Sequence, residues 1–560
     1  MKRPVLSFAL ACCIALSFGS TITAQKGGHQ GTARLDLVEA TVPELLKALQ
    51  TGLITSEQLV EMYLARIAAY DDAGPRLNAF LTLNPNALAQ ARALDAARHP
   101  GKARSPLYGI PVLLKDNVDT ADMPTTAGSV ALEGSIPPDD AFIARKLREA
   151  GAIILGKATL TEFANFLTNG MPTGYSSLGG YGFNPYDPRE LPGGDGRPVL
   201  ATGGSSSGSG IAVAANLVTV AVGTETSGSI LSPASGNMAV GIKPTVGLIS
   251  RDGIIPITAD QDTAGPITRT VTDAAILLGV LAGHDPTDAA TDACLIPGNC
   301  FSDYTRFLDK RALAGARIAF PPPPASRADL MNAAVEVLRA QGAYVEPILA
   351  LGGQLPGCPA GVFPPVEPWP PALCASSLFY GFKRDLNAYL ASLGPAAPVQ
   401  SLSDVIAFNN ANAAVALKYG QTLALLSDSI DISPGSADTA QYIEARAEDL
   451  ARSRGALDAV YNGPDGVRGT ADDFDAILFS ANSGAGIPAK AGYPSITVPG
   501  GFVPPVAPVI NPTPSGVTFS GRAFSEPRLI GLAYAFEQAT KHRQPPASTP
   551  PLPSDTVRRP

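Results

Sequence analysis

Short apolar segments alternate with helix-forming segments along this chain, and that alternation restricts the possible folds more than any other feature. Hydrophobic residues make up 45% of the 560 residues and charged residues only 16%, which suits a chain with a large buried core. Strand-length apolar runs separated by helical segments are typical of α/β proteins with a mixed sheet. The runs occur at residues 110–114, at the start of 151–166, at 218–222, and within 474–482 and 493–499.

Helix signals are clearest at two places. Residues 52–71, GLITSEQLVEMYLARIAAYD, place a threonine at position 55 and a glutamine three residues later, which is the capping-box pattern. The apolar residues that follow recur at helical spacing, as expected for a helix that packs on a core. Residues 525–541, SEPRLIGLAYAFEQATK, predict a closing helix.

The chain shows no change in composition that marks a domain boundary. We therefore expect a single domain over residues 25–560, with a helical subdomain at roughly 300–460. The segment 354–371 is too rich in proline for a helix or a central strand and reads as an insertion. The Gly- and Asp-rich segment 463–473 lacks the spacing and the closing glutamate of a calcium loop, so we interpret it as a turn.

Residues 1–24 have the three-part pattern of a secretory signal peptide. Residues 2–3 are basic, residues 5–18 are apolar, and small residues follow up to Ala24. The apolar run is shorter than the ~20 residues that cross a bilayer as a helix. Cys12 raises a lipoprotein alternative, which its early place in the apolar run disfavours. We expect cleavage after Ala24 and export to the periplasm or the extracellular space.

The charge balance argues against polyanionic partners. The chain has 41 basic and 49 acidic residues and a formal net charge of −8. Binding to nucleic acid or to anionic lipid depends on a basic surface. We therefore expect no nucleic-acid partner and no stable membrane association.

Four cysteines remain after the predicted cleavage. An even number of cysteines in an exported protein predicts disulfides. The short spacings favour Cys294–Cys300 and Cys358–Cys374, although the sequence leaves the pairing open and four free thiols are the alternative. The chain has no Cys-x-x-Cys motif and no Cys/His cluster, so we expect no metal site.

The segment GTETSGSILSPA, residues 223–234, follows one of the apolar runs and predicts the end of a strand followed by a tight, serine-rich turn. Ser227 and Ser229 flank Gly228, so we expect a serine hydroxyl on a glycine turn. A serine nucleophile needs a proton acceptor, and histidine is the usual one. None of the four histidines lies in a recognisable catalytic motif; they are His29, His99, His284 and His542.

Two other serine chemistries can be compared with the chain. GSSSG at residues 204–208 matches the Gly-x-Ser-x-Gly nucleophile elbow of α/β-hydrolases, with Ser206 at its centre. The elbow should directly follow a strand, whereas a loop-like stretch precedes it here. An α/β-hydrolase esterase that uses Ser206 is kept as an alternative. No serine lies three residues before a lysine, so the Ser-x-x-Lys motif of penicillin-recognising enzymes is absent.

Lys115 is a candidate base from another part of the chain. It ends the apolar run in GIPVLLKDN, residues 109–117, where burial is expected. Burial penalises the charged form of a lysine, so a buried lysine loses its proton more readily. A neutral Lys115 could accept a proton from a serine, and a salt-bridged lysine at a strand end is the alternative.

Three segments together resemble the motif blocks of the amidase signature family. They are GIPVLLKDN at 109–117, GGSSSGSG at 203–210 and GTETSGSI at 223–230, in the order that the family has. The resemblance covers most of the chain beyond the predicted leader. It implies an α/β fold of the amidase-signature type, with a mixed, twisted central β-sheet covered by helices on both faces.

The resemblance also implies a Ser–cisSer–Lys triad. Ser229 is the implied nucleophile, Ser205 the implied shuttle after a cis Gly204–Ser205 bond, and Lys115 the implied base. Ser227 stands where the family often has glycine, and its backbone N–H is retained. The implied oxyanion hole consists of the N–H groups of four turn residues: Thr226, Ser227, Gly228 and Ser229.

Within the family, the chain is most similar to bacterial peptide amidases, which remove the C-terminal amide of peptides. The similar segments include KPTVGLISRDGIIPI and the run 385–409. The resemblance implies an amidase that forms an acyl-enzyme and releases acid and ammonia, without a cofactor and without an obligate partner subunit, and the predicted signal peptide implies that it is exported. Segment 162–180 is implied to line the acyl pocket, with Asn169 as a candidate substrate-binding residue.

Two alternatives for the substrate stay open at this point. The enzyme could act on another class of amide, such as an aryl or fatty amide, because substrate pockets vary on a shared fold. It could also be the A-type component of an amidotransferase, which the same triad would serve. The predicted signal peptide argues against that second role, since it requires a cytosolic partner complex.

Overall fold

The computed structural model describes residues 33–98, 105–348 and 376–559. The predicted signal peptide and the proline-rich segment 354–371 lie outside these ranges. Within them, no helix combines the length and the apolar character that a membrane crossing requires.

Fifteen strands are present in the described ranges: β1 (Ala33–Asp36), β2 (Phe80–Leu83), β3 (Pro111–Lys115), β4 (Ile153–Ala158), β5 (Tyr175–Ser176), β6 (Gly180–Tyr181), β7 (Val220–Glu225), β8 (Val240–Lys243), β9 (Thr263–Thr268), β10 (Arg317–Phe320), β11 (Tyr344–Pro347), β12 (Ala476–Ser480), β13 (Ser495–Val503), β14 (Thr513–Ser520) and β15 (Thr556–Arg559).

Sixteen α-helices are described in the same ranges: α1 (Val42–Gln50), α2 (Ser56–Tyr70), α3 (Ala87–Ala96), α4 (Phe142–Glu149), α5 (Glu162–Asn165), α6 (Ser207–Ala214), α7 (Leu231–Gly236), α8 (Val271–Leu281), α9 (Ala328–Ala340), α10 (Ser376–Ser392), α11 (Leu402–Ala411), α12 (Ala413–Ala416), α13 (Thr422–Asp428), α14 (Ala437–Tyr461), α15 (Gly486–Ala491) and α16 (Glu526–Thr540). The predicted capping box of α2 is present, with the Thr55 side chain accepting the Gln58 N–H.

Eleven strands form one central sheet in the order β11-β10-β12-β14-β13-β8-β9-β7-β3-β4-β2. Strand β3 runs parallel to β4 and β7, whereas β7 runs antiparallel to β9. The sheet is therefore mixed, and helices flank it, which confirms the predicted α/β class. Since β3 and β7 are parallel neighbours, their carboxyl ends meet at the same edge of the sheet.

Strand β7 extends further than its sequence predicts. The apolar run predicts a strand over residues 218–222, but β7 spans Val220–Glu225 and includes the first three residues of the segment 223–234. Thr224 and Glu225 pair with Ala264 and Thr263 of β9. Both side chains are buried: the Thr224 hydroxyl accepts from the Lys115 amine, and the Glu225 carboxylate accepts from the Gly228 N–H.

The region 300–460 contains both sheet strands and helices. Strands β10 and β11 belong to the central sheet, with helix α9 between them, and from residue 376 to residue 460 the region is helices and their connections. Helices α10, α11 and α13 share a second hydrophobic cluster with residues near α5. In that cluster the rings of Phe163 and Phe166 contact the ring of Phe382 on α10.

One of the two favoured disulfides lies in the described ranges. Cys294 and Cys300 are bonded, with their Cα atoms 5.0 Å apart, which confirms that pairing. Cys358 and Cys374 lie outside the described residues, so their pairing stays a prediction.

A buried ion pair ties the C-terminal segment to helix α2. The Arg66 guanidinium donates to Asp555 at 2.5 Å and to the carbonyl oxygens of Asn216 and Ala215 at 2.8 Å. Both charged side chains are almost completely buried, at 0% and 2% exposed. Strand β15, which follows Asp555, pairs antiparallel with β1 and so joins the two ends of the described chain.

Arg66→Met is expected to destabilise the protein by about 3–5 kcal/mol, because it leaves the Asp555 carboxylate buried without its partner. Urea unfolding followed by circular dichroism measures the change. Arg34→Met is a matched control, since Arg34 pairs with Asp36 at a surface where both side chains are about half exposed, at 51% and 48%. Equal unfolding midpoints for the two variants would contradict this role of Arg66.

Candidate active site

Lys115 is the last residue of β3 and is completely buried. Its Nζ lies 2.8 Å from Ser205 Oγ and 2.8 Å from Thr224 Oγ1. Thr224 lies on β7, the parallel neighbour of β3, so the sheet itself places this hydroxyl beside the lysine. Among the described residues, the hydrogen-bond partners of this amine are hydroxyl and carbonyl oxygens rather than carboxylates, so the salt-bridged alternative does not apply.

The surroundings of Lys115 favour its neutral form. Burial lowers the pKa of Lys115 from 10.5 to about 7, and the nearby carboxylates of Asp262 and Glu225 oppose this effect only in part. A large fraction of Lys115 is therefore unprotonated near neutral pH. An unprotonated amine at hydrogen-bond distance from a hydroxyl can accept its proton.

Ser205 joins Lys115 to the Gly/Ser-rich segment before α6. The Gly204–Ser205 peptide bond is cis, as the family resemblance implies. Ser205 is completely buried, and its carbonyl oxygen accepts the Thr161 N–H at 3.0 Å. A Cβ at position 204 would lie 2.7 Å from Thr161 Oγ1, so the position requires glycine.

Ser229 lies on the turn between β7 and α7. Its carbonyl oxygen accepts the Ser206 N–H at 3.2 Å, which holds the Ser229 turn against the residue that follows Ser205. Ser229 keeps 8% of its surface exposed, whereas Lys115 and Ser205 are 0% exposed. Ser229 is therefore the member of this group that a substrate from solvent can reach.

The structure corrects the expected oxyanion hole at Gly228. The Gly228 N–H donates to Oε1 of Glu225 at 2.7 Å, so it is not free to face a reacting carbonyl oxygen. The buried carboxylate holds this N–H because an ionised acceptor forms strong hydrogen bonds with backbone donors. The candidate donors that remain are the N–H groups of Thr226, Ser227 and Ser229.

Thr226 is held by the loop that precedes β9. Its Oγ1 donates to Asp262 at 2.5 Å, and its carbonyl oxygen accepts from Gln261 Nε2 at 2.6 Å. Asp262 also accepts the N–H groups of Ile257 and Thr258. Burial raises the pKa of Asp262 to about 6. These contacts fix the first residue of the Ser229 turn.

The geometry does not fit the nucleophile-elbow alternative. Ser206 is completely buried, and its Oγ donates to the Thr224 carbonyl at 3.1 Å and accepts the Thr224 N–H at 3.2 Å. The hydroxyl thus joins α6 to β7. His284 lies instead against the exposed carboxylate of Asp292, at 3.1 Å.

Asn169 lies apart from the contacts that join Lys115, Ser205 and Thr224. It is exposed in the turn after α5, and its backbone N–H donates to Thr422 Oγ1 on α13 at 3.1 Å. Its role in substrate binding therefore stays a prediction.

Sequence reasoning missed three residues of this site: Thr224, Glu225 and Asp262. The sequence contains a feature that could have identified Glu225, since an acidic residue between an apolar strand and the serine turn is unusual. Asp262 had no such feature, because the sheet brings it to the turn from a distant part of the chain.

Comparisons with known proteins agree with this geometry. The family model described as Amidase matches residues 58–350. A probable amidase of Arabidopsis thaliana is 39% identical over 529 residues, covering 92% of this chain and 93% of that protein.

Solved structures and other relatives extend the comparison. The peptide amidase of Stenotrophomonas maltophilia is 40% identical with a TM-score of 0.77, covering 91% of this chain and 99% of that one. A glutamyl-tRNA(Gln) amidotransferase component of Streptomyces coelicolor is 43% identical over 263 residues, covering 47% of this chain and 49% of that protein. The chain therefore belongs to the amidase family and is a hydrolase of amide C–N bonds.

Proposed function

We propose that this amidase hydrolyses the C-terminal amides of peptides outside the cytoplasm, with Ser229 as nucleophile, Ser205 as proton shuttle and Lys115 as base. The observation that carries the triad is the buried Lys115 amine 2.8 Å from Ser205 Oγ. The histidines in the described ranges make their contacts elsewhere, His284 with Asp292 and His542 with the ring of Phe536.

The first step forms an acyl-enzyme. Neutral Lys115 takes the Ser205 proton, Ser205 takes the Ser229 proton, and Ser229 Oγ bonds to the carbonyl carbon of the amide. The proton then returns through Ser205 to the amide nitrogen, and ammonia leaves as the C–N bond breaks. Water attacks the resulting ester by the same relay, which releases the carboxylic acid and restores Ser229.

The negative charge on the tetrahedral intermediate needs donors that are already in place. Backbone N–H groups near the nucleophile serve this purpose in acyl transfer. The N–H groups of Thr226, Ser227 and Ser229 are the donors that we propose. The contacts of Thr226 with Asp262 and Gln261 support a fixed geometry for this part of the turn.

Two observations favour a peptide amide as the substrate. One structural relative that covers 91% of this chain, at 40% identity, is the peptide amidase of Stenotrophomonas maltophilia. The N-terminal 24 residues have the pattern of a signal peptide, and export would bring the enzyme to extracellular peptides. The amidotransferase relative aligns with only 47% of this chain, which gives that role less support.

Ammonia release by the purified protein tests the substrate. The panel contains an amidated dipeptide, the same dipeptide as an anilide, a fatty amide and free glutamine. Release of the aniline from the anilide is followed alongside the ammonia. We expect a kcat/KM for the amidated dipeptide at least ~10-fold above that for the other compounds, since a pocket built for one leaving end rejects others by this order.

Other outcomes of the panel would redirect the proposal. Hydrolysis of the anilide or the fatty amide alone would be consistent with the proposed triad but would contradict the peptide amide as substrate. Hydrolysis of glutamine alone would favour an amidotransferase role. Ser229→Ala, assayed with every compound, shows whether the measured release comes from the proposed nucleophile.

The proposed export has its own measurement. Expression of the full chain in a bacterial host, followed by fractionation and N-terminal sequencing, should recover a periplasmic or extracellular protein that begins at Gln25. A cytoplasmic protein that retains residues 1–24 would contradict export without affecting the triad.

A further inference from the structure

Glu225 holds the Ser229 turn from both sides. It is the last residue of β7 and is 1% exposed. Its Oε1 accepts the Gly228 N–H at 2.7 Å, and its Oε2 accepts the N–H groups of Ile230 and Leu231 at 2.7 and 3.0 Å. Gly228 and Ile230 lie directly before and after Ser229, so one carboxylate fixes the backbone on each side of the proposed nucleophile.

The conformation of the turn explains why such an acceptor is needed. Gly228 has a φ of +90°, a left-handed conformation that a side chain would strain, and the pairing of β7 with β9 ends at Glu225. Three backbone N–H groups in a buried turn require acceptors. Glu225 supplies these acceptors for Gly228, Ile230 and Leu231. The N–H groups of Thr226, Ser227 and Ser229 are not among its donors, so they remain the proposed oxyanion donors.

Glu225 also lies among buried charges. The Lys115 amine donates to the carbonyl oxygen of Thr224, the residue directly before Glu225, at 3.3 Å. At this short range the Glu225 carboxylate raises the pKa of Lys115, and it also raises the pKa of the buried Lys243. The other carboxylates that act on these lysines are Asp262 at Lys115 and Glu526 at Lys243. Burial raises the pKa of Glu225, while its three N–H donors and Lys243 work in the opposite direction and favour the ionised carboxylate.

We propose that Glu225 is a positioning residue of the amidase reaction: its carboxylate holds the Ser229 turn in the attacking conformation, and its negative charge acts on Lys115. This inference rests on the proposed function. Glu225 is not proposed to touch the substrate, since its oxygens are occupied by three backbone donors.

The test compares Glu225→Gln with the wild type in the ammonia assay. Glutamine keeps the size of the side chain but offers one acceptor oxygen and places an NH2 group against a backbone donor. We expect kcat to fall by roughly 10²-fold, as for loss of an aligned oxyanion donor, while KM changes by less than about 3-fold. Loss of the negative charge should also move the acid limb of the kcat/KM profile to lower pH.

Glu526→Gln is the matched control. Glu526 is also completely buried, and it also raises the pKa of Lys243. It accepts the Thr245 N–H at 2.6 Å, away from the Ser229 turn, and the carboxylates that raise the pKa of Lys115 are those of Asp262 and Glu225. We expect its kcat and its acid limb to match the wild type. Glu225→Asp keeps the negative charge but shortens the side chain. We expect kcat to fall because the shorter carboxylate cannot span both sides of the turn, and we expect the acid limb to stay in place because the charge is retained.

The result that overturns the inference is distinct from failure of the proposed function. Wild-type hydrolysis and its loss in Ser229→Ala, measured in the same assay, test the proposed function. With those in hand, a Glu225→Gln enzyme with wild-type kcat, or with reduced kcat and an unmoved acid limb, would overturn the role of Glu225. If the glutamine variant fails to fold by circular dichroism, Glu225→Asp carries the test, and wild-type kcat in that variant would overturn it.

Discussion

Ser229→Ala is expected to abolish hydrolysis of every amide that the enzyme accepts, with a loss in kcat on the order of 10⁴–10⁶. The reason is chemical, since alanine removes the oxygen that would form the acyl-enzyme and leaves Ser205 and Lys115 with no proton to relay. Folding should be almost unaffected, because the change deletes one hydroxyl at a site that retains 8% exposure. We expect the free energy of unfolding to change by about 1 kcal/mol, the centre of the range for single substitutions.

Three measurements check this expectation. Ammonia release gives kcat, thermal unfolding gives Tm, and a fluorophosphonate probe followed by mass spectrometry locates the reactive serine. Ser232→Ala is the control, because Ser232 lies three positions further along, in α7, and has no part in the proposed relay. Labelling at Ser206 or at another serine in the wild type, or hydrolysis retained by Ser229→Ala, would contradict the assignment.

Much of the site could be predicted because the decisive residues lie in short, continuous segments. The run that ends at Lys115 is apolar throughout, and such a run predicts a buried strand in any α/β fold. The structure shows why glycine stands at positions 204 and 228: a Cβ at 204 would lie 2.7 Å from Thr161 Oγ1, and Gly228 has a φ of +90°. The roles of Ser229, Ser205 and Lys115 came from the family resemblance, and the Lys115–Ser205 distance agrees with it.

The remainder could not be predicted because it depends on contacts between distant segments. Glu225 and Asp262 act through a turn and a loop that only the pairing of β7 with β9 brings together. The apolar run predicts a strand only as far as residue 222, yet pairing with β9 extends the strand through Glu225. That carboxylate then takes up the N–H of Gly228, so the predicted oxyanion hole was wrong at that position.

Strands β10 and β11 are parts of the fold that the sequence did not predict, again because they depend on distant contacts. Each has four residues and lies within a region predicted to be helical. Short segments near a sheet edge carry little periodicity, and β10 owes its place to pairing with β12, which lies far away in the chain. Helix α2, by contrast, carries its own capping box and needs no distant partner to be recognised.

Lys115→Met is expected to lower kcat/KM at pH 7–8 by about 10²–10⁴-fold, the usual contribution of a general base. In the wild type, kcat/KM should rise with pH through about 7, because burial lowers the pKa of Lys115 to about 7 and only the unprotonated amine accepts the Ser205 proton. Below that pH the rate should fall about tenfold per pH unit. In Lys115→Met this limb should disappear, and the residual rate should rise with hydroxide concentration instead.

Methionine is the informative replacement because it keeps nearly the length of the side chain in a completely buried site. Burial of an amine costs free energy wherever the unfolded chain would hold a proton on it, that is, at all pH values below the ordinary lysine pKa of 10.5. That cost is greatest below pH 7, so at pH 6 the Tm of the variant should be at least as high as that of the wild type, although the variant loses nearly all activity. A Lys115→Met enzyme that retains wild-type kcat/KM at pH 7, or that keeps the acid limb near pH 7, would show that the proton goes elsewhere.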